Sequence, residues 1–467
     1  MTRDFIFPAE YSMNSKSATL FVTVLGFFMI TLNAVIVNVV VPAIQHDFSA
    51  SMANMQWILN GYTLMFATML LTAGVLSDMF GARNTFFAGM FVFVIASFLC
   101  GAASSVNTLI IARFLQGATA AAMTPSSLAL LRHAFNDAGE RAKAIAIWAM
   151  GGAIASTSGP IIGGLLSIIS WRWVFFIHIP VGITSLLLMR HCKNTPKQAS
   201  SFDMLGQLLI IIALGSLSYA AIESGEQGVL AKSTIISFIL SLLAFVLFIH
   251  WQRKAATPML PPSMFRVSNI MISNIVGFTF MFGYFGLPFI MSIYLQNERG
   301  FTALQTGMIF LPMMLMGLIL TPVTHKLVVR FGSRQLIATG LGFMTLGLIL
   351  MALFTERCSS YQISVLMAFV GLAGPLIAPP VTGVLLSSAT GALAGTASGL
   401  FNTFRQMGCT LSVAIFGALL AQPAGLMVGT EQSLWLGATV AALALIVSFR
   451  LKECKIYQPK HSVNMTD

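Results

Sequence analysis

Leu76-Ser-Asp78-Met-Phe80-Gly81-Ala-Arg83 recurs 251 residues later as Leu327-Val-Val-Arg330-Phe331-Gly332-Ser-Arg334, and the echo decides how the chain divides. Each copy links the second and third members of a block of six long apolar runs. The runs number fourteen, at approximately 18–41, 56–77, 84–104, 108–131, 143–168, 173–190, 204–223, 233–250, 268–295, 305–329, 334–354, 361–388, 396–421 and 433–450. Two related halves, with the seventh and eighth runs inserted between them, account for the spacing. Chance similarity between two turns is the plainer alternative.

The runs are too long and too continuous for barrel strands of about ten alternating residues, and suit bilayer-crossing helices of roughly twenty. A chain with 57% hydrophobic and 8% charged residues cannot hide its apolar surface in one soluble core. The expected fold is an all-α polytopic membrane protein with fourteen spans arranged 6 + 2 + 6. Residues 1–17 form an N-terminal tail, 18–190 a six-helix bundle, 191–267 a linker with two extra spans, 268–450 a second six-helix bundle and 451–467 a C-terminal tail. The polar start and the missing small-residue cleavage site make the first run an uncleaved anchor.

Basic residues orient the chain. Nineteen of the 25 Lys and Arg fall on one side, four (Arg172, Lys232, Arg299 and Arg357) on the other, and Arg113 and Arg405 lie within runs. The positive-inside rule then puts both termini in the cytoplasm. The same asymmetry accounts for the net charge of +11, so no nucleic-acid partner is implied. Cys100 and Cys358 both fall toward the outer surface, but nothing in their spacing argues for a disulfide, and no Cys or His pattern fits a metal. The seven His are scattered and no Gly-x-x-x-x-Gly-Lys-Ser/Thr loop occurs, which speaks against a membrane enzyme and a built-in ATPase.

Three stretches carry the functional argument. In Gly74-Val-Leu-Ser-Asp78-Met-Phe-Gly81-Ala-Arg83 the glycines allow a sharp reversal, while Asp78 can pair with Arg83 or cap a neighbouring helix, as a gate clasp or as a static turn. In the fourth run Arg113, Gln116 and Gly117 share one helical face. An arginine at mid-bilayer depth costs roughly 2.5–3.5 kcal/mol, so it needs either a structural partner or a watery substrate path. In the fifth run Ser158-Gly159-Pro160-Ile-Ile-Gly163-Gly164 combines a kink with a small-residue face, suited to tight packing or to a moving seam. Asn33, Asn38, Gln56, Asn60, Tyr62 and Asn402 are cavity candidates, because polar groups inside a bundle seek partners. Phe278, Phe280, Phe282, Tyr284 and Phe285 suit either a promiscuous pocket or a lipid-facing surface.

Together these stretches resemble the motifs of the major facilitator superfamily, the third being the pattern associated there with exporting antiporters. Leu32-Asn33-Ala-Val-Ile-Val-Asn38-Val-Val-Val-Pro42 and Trp171-Arg172-Trp173-Val-Phe-Phe-Ile-His178-Ile-Pro180 are similar to the fourteen-span drug:proton antiporters of the EmrB/QacA type. The resemblance implies a functional monomer in a bacterial cytoplasmic membrane, with two bundles around a central cavity. It implies export of drugs or other small amphipathic compounds by alternating access, driven by a proton gradient and without a cofactor. It links Arg113 to proton coupling and Gly74, Asp78, Gly81 and Arg83 to gating, with Gln116, Asn33, Arg405 and Gln406 beside the cavity.

The chain departs from that family at Asn33, where members usually carry an aspartate. A cavity holding Arg113 and Arg405 without a deep carboxylate is net positive, which favours neutral, zwitterionic or anionic compounds over cations. Asp78, Glu223 and His178 remain as proton carriers. Export or import of an anionic or zwitterionic metabolite without proton coupling is the alternative.

Overall fold

In hydrocarbon a backbone N–H or C=O has no water to bond, so each apolar run must satisfy its own backbone and becomes a helix. The computed structural model describes residues 15–197, 202–255, 258–260, 262–389 and 394–452. The helices are α1 Ser15–Phe48, α2 Met52–Phe80, α3 Ala82–Gly101, α4 Val106–Ala134, α5 Ala138–Ile169, α6 Trp173–Phe176, α7 His178–Leu188, α8 Met204–Glu226, α9 Lys232–Lys254, α10 Ser268–Ile293, α11 Ala303–Phe331, α12 Ser333–Phe354, α13 Ser360–Gly371, α14 Ala373–Ser388, α15 Ala394–Leu420 and α16 Leu426–Ser448.

Among the described residues, twelve helices are long and apolar enough to cross a membrane, or thirteen if α2 is counted despite a 61° bend between Met52–Leu70 and Thr72–Phe80. That is fewer than the fourteen spans expected from the sequence, and the 6 + 2 + 6 arrangement does not follow from this count. Helix α4 falls outside it because Arg113 and Gln116 lower the apolarity of its middle. The segments Trp173–His191 and Ser360–Ser388, each interrupted in the middle, count as one span apiece.

The echoed octapeptides adopt the same turn twice. Gly81 ends α2 and opens α3 at φ 84°, and Gly332 ends α11 and opens α12 at φ 83°, a left-handed backbone region that favours glycine. Thus the repeat is structural as well as textual.

Helices α1–α7 pack with one another, as do α10–α16. The two groups meet where α2 lies against α15 and α5 against α11, while α8 packs on α2, α15 and α9. Polarity is inverted relative to a soluble protein. Phe238, Leu242 and Phe245 of α9 face outward, whereas Asn33, Arg113, Gln116 and Asn274 are buried.

One carboxylate closes the base of the α8–α9 hairpin. Asp203 caps α8 by accepting from Gly206 N (2.8 Å), and also accepts from Trp251 Nε1 (2.8 Å) and Gln252 Nε2 (2.7 Å) on α9. Gln252 Oε1 in turn accepts from Leu260 N (3.0 Å), tying the hairpin to the segment before α10. Replacing Asp203 by Ala removes a cap and two charge-assisted bonds, with an expected loss of about 2–4 kcal/mol. A lowered melting temperature of the detergent-purified protein checks this, and an unchanged one would mean that apolar contacts alone hold the hairpin.

Candidate functional site

Arg113 is almost fully buried, at 1% exposure, and the protein itself supplies its acceptors. Its Nε donates to the Ile58 carbonyl of α2 (2.8 Å) and Nη1 to Gln116 Oε1 (2.9 Å), and the guanidinium lies 4.6 Å from the Tyr62 ring centroid. Gln116 Nε2 donates to Ser97 Oγ of α3 (2.8 Å), and Cys100 Sγ donates to Gln116 Oε1 (3.4 Å). The Tyr62 hydroxyl donates to the Ile30 carbonyl of α1 (3.0 Å). Two charge-assisted bonds at about 1.5–3 kcal/mol each match or exceed the cost of placing the arginine in hydrocarbon. In this conformation Arg113 is therefore a buried clasp joining α2, α3 and α4, with Nε and Nη1 held by protein acceptors. Gly117 completes the clasp, since a Cβ there would stand 2.2 Å from the Tyr62 carbonyl oxygen.

The unsatisfied polar groups lie elsewhere. Asn33 on α1, Asn60 on α2 and Asn274 on α10 are fully buried, and both amide atoms of each lack a partner. Each such group carries a penalty on the order of 1–3 kcal/mol, which water or a bound solute would relieve. Arg405 on α15 is half-buried, with Nη1 donating to Asn402 Oδ1 (3.3 Å) and Nε unpartnered, and its stem lies against Gly277 of α10. Gln406 is half-buried beside it. Among the described residues the ion pairs are Lys16–Glu140 and Arg172–Asp47, so neither interior arginine meets a carboxylate. Of the other candidates, Asn38 bonds back to Ala34 and Asn402 to Ser398, while Gln56 Nε2 donates across to the Ala414 carbonyl (3.2 Å) and its buried Oε1 has no partner among the described residues.

Hydrogen bonds between the two groups cluster toward one end of the seams. Along α2 and α15, the Gln56–Ala414 bond is followed by Thr410 Oγ1 to Thr63 Oγ1 (3.0 Å) and Thr403 Oγ1 to the Ala67 carbonyl (3.4 Å). Gln296 Nε2 donates to the Val39 carbonyl (2.9 Å), and Thr157 Oγ1 to the Met314 carbonyl of α11 (3.4 Å). Between those levels and the Gly81 and Gly332 turns, no hydrogen bond joins described residues of the two groups. There α5 and α11 are exposed, at Ala146 and Met150 on one and Thr321 and His325 on the other.

Glycines set the closed end. A Cβ at Gly164 would stand 2.6 Å from Leu304 Cα, one at Gly307 2.4 Å from the Pro160 carbonyl oxygen, and one at Gly163 2.9 Å from the Ile36 carbonyl oxygen. Gly159 sits against Val35. The motif is thus the contact surface of α5 with both α1 and α11.

A model of the Major Facilitator Superfamily matches residues 23–413. The chain belongs to the major facilitator superfamily. It is 36% identical over 408 residues to multidrug resistance protein Stp of Mycobacterium tuberculosis strain CDC 1551, covering 86% of this chain and 75% of that one. It is 33% identical over 442 residues to the methylenomycin A resistance protein of Bacillus subtilis strain 168, covering 94% and 95%. The crystal structure of a POT family transporter in complex with 5-aminolevulinic acid superposes with a TM-score of 0.70 at 14% identity, over 94% of this chain and 96% of that one, a likeness of fold. The chain is accordingly a multi-pass transporter of small molecules and not an enzyme.

The turns of this facilitator are wired differently from the expected clasp. Asp78 is exposed and makes no hydrogen bond or ion pair with a described residue, while Gly74 has open space around it. Arg83 instead donates to the Met189 carbonyl (3.2 Å from Nη2) and to Asn194 Oδ1 (2.8 Å), at the end of its own bundle. Arg334 in the other copy lies 6.0 Å from the ring centroid of Phe449 after α16. The Trp171–Arg172 pair holds Asp47 at the end of α1, through Trp171 Nε1 (2.9 Å) and the Arg172 guanidinium (3.5 Å). His178 is buried beside Phe93, Glu223 accepts from Gln227, and Cys100 and Cys358 are free thiols.

Sequence reading missed Ser97, Cys100 and the Ile58 carbonyl around Arg113, since single hydroxyls, thiols and backbone oxygens leave no pattern. Asn274 was findable by the criterion that picked Asn33. Gly164→Leu is expected to force α5 and α11 apart and abolish the closed end. Measured as compound accumulation in cells, transport should fall at least about tenfold, since the close approach permits no added side chain. Full transport would make this seam dispensable. Arg113→Ala strands the Gln116 and Ile58 acceptors, and an expected loss of about 2–4 kcal/mol should show as a lower melting temperature.

Proposed function

We propose that this transporter exports drugs or other small amphipathic compounds by alternating access, coupled to inward proton flow. The observation that carries the reading is the one-sided bonding: hydrogen bonds join α2 to α15 and α5 to α11 from one end to mid-height, and none joins described residues of the two groups beyond it. Such a shape is one of the two states an alternating mechanism needs, with the bundles rocking about the closed half. The resistance proteins to which the chain is similar support export as the direction.

Fourteen spans follow if α2 and α4 cross the membrane with the twelve counted helices, because neither can end inside the bilayer. Both termini then lie in the cytoplasm of a bacterium, and the open end faces inward. The protein acts as a monomer. Gly74, Asp78, Gly81 and Arg83 gate the open end, with Asp78 free in this state to engage the opposite bundle when that end closes. Asn33, Asn60 and Arg405 are the groups most suited to meet a solute, since both amide atoms of each asparagine and the Nε of the arginine have no partner among the described residues. Arg113 and Gln116 act behind them as a positioning clasp.

A second reading, transport of an anionic or zwitterionic metabolite, is favoured by one observation: Arg405 keeps an unpartnered Nε and meets no carboxylate among the described residues. A panel of neutral aromatic, anionic and quaternary ammonium compounds separates the readings. Cells expressing the transporter should accumulate less of the neutral or anionic compounds, and stronger protection against quaternary ammonium dyes would refute the charge argument. In proteoliposomes, substrate addition should move protons across the membrane. Transport without a pH change would leave export standing and remove proton coupling.

A further inference from the structure

We infer that the chain carries a second, intramembrane binding site for an uncharged, flat amphipathic solute, in the groove where α2 and α4 face α8 and α9. The groove is an open one of about 570 Å³. That volume falls in the range of roughly 300–1,000 Å³ typical of small-molecule pockets. It exists because Gly215 of α8 has nothing within 4 Å of where a Cβ would project.

The walls define the occupant. Trp57 lies between Phe114 (ring centroids 5.9 Å) and Tyr219 (6.3 Å), giving a rim of three aromatic rings. None of the side chains lining the groove carries a charge. An ion entering from lipid would therefore lose hydration without gaining a counter-charge, whereas a neutral ring system stacks. The Trp57 indole N–H and the Ser237 hydroxyl, from opposite walls, have no hydrogen-bond partner among the described residues, so a solute bearing a carbonyl or ether oxygen fits both.

The position links the groove to the transport machinery. Trp57 and Phe114 are the chain neighbours of Ile58 and Arg113, whose hydrogen bond forms the clasp. Leu64 lines both the groove and a small void of about 10 Å³ between α2, α8 and α15, so the groove adjoins the α2–α15 seam. We place the entry of a bilayer-dissolved solute there. This adds an entry point to the export reading, and its test runs without a gradient, so failure of binding and failure of transport are separate results.

The probe is Nile red, an uncharged flat dye with a ring carbonyl, titrated into the purified full chain in phospholipid nanodiscs. Wild type is expected to show a saturable blue-shifted component above the lipid background. Gly215→Leu, which fills the floor, should weaken it at least about tenfold, Gly215→Ala less, and Ser237→Leu from the opposite wall comparably to Gly215→Leu. Leu242→Ala, on the lipid-facing side of α9, should leave it unchanged. Melting curves of each variant identify any that fail to fold, and the two walls then provide independent tests. Equal binding by wild type and Gly215→Leu, or no saturable component in wild type, overturns the proposal. So does a phospholipid that copurifies with wild type, is lost in Gly215→Leu and leaves no room for dye, since the occupant would then be an acyl chain.

Discussion

A polar group in hydrocarbon must find its partner inside the protein, and the arrangement of this molecule follows from how that demand is met or left unmet. Arg113 meets it through Nε and Nη1. Its acceptors come from its own helix and from α2, and Gln116 extends the network to Ser97 on α3. The interaction fixes three helices of the first bundle as one body, which is what a rocking mechanism requires of each half. Asn33, Asn60 and Asn274 fail to meet the demand despite complete burial. In a close-packed interior such groups are tolerated where water or a solute completes them in some part of the cycle.

Between the bundles, glycine and threonine replace large side chains. Gly164, Gly307 and Gly163 let backbones touch, and Thr63, Thr157, Thr403 and Thr410 bond across without long side chains that would interlock. Surfaces of this kind separate at small cost, because few rotamers are frozen and few apolar groups are newly exposed. At the end bearing the Gly81 and Gly332 turns no hydrogen bond joins described residues of the two groups, and Arg83 is held by Met189 and Asn194 of its own half.

The inserted pair is more than a spacer. Helix α8 touches both α2 and α15, with Gln207 Nε2 donating to the Thr68 carbonyl (3.1 Å) and Gly225 against Ala418. It therefore bridges the joint between the two groups, and Asp203 ties it to α9 and to the approach to α10.

The sequence alone determined the class. Continuous apolar runs forced membrane helices, and the Leu76–Arg83 and Leu327–Arg334 echo marked two glycine turns of the same backbone form, because each rests on local periodicity or on a backbone conformation that one residue type favours. It could not determine partners. Whether Arg113 faced water or Gln116 and Ile58, whether Asp78 held Arg83, and which amides stayed unpaired depend on helices brought together from distant parts of the chain. The span count was ambiguous for a related reason: α4 carries the polar clasp that lowers its apolarity, and only its packing against α2 and α3 reveals why a helix so polar belongs in the bundle.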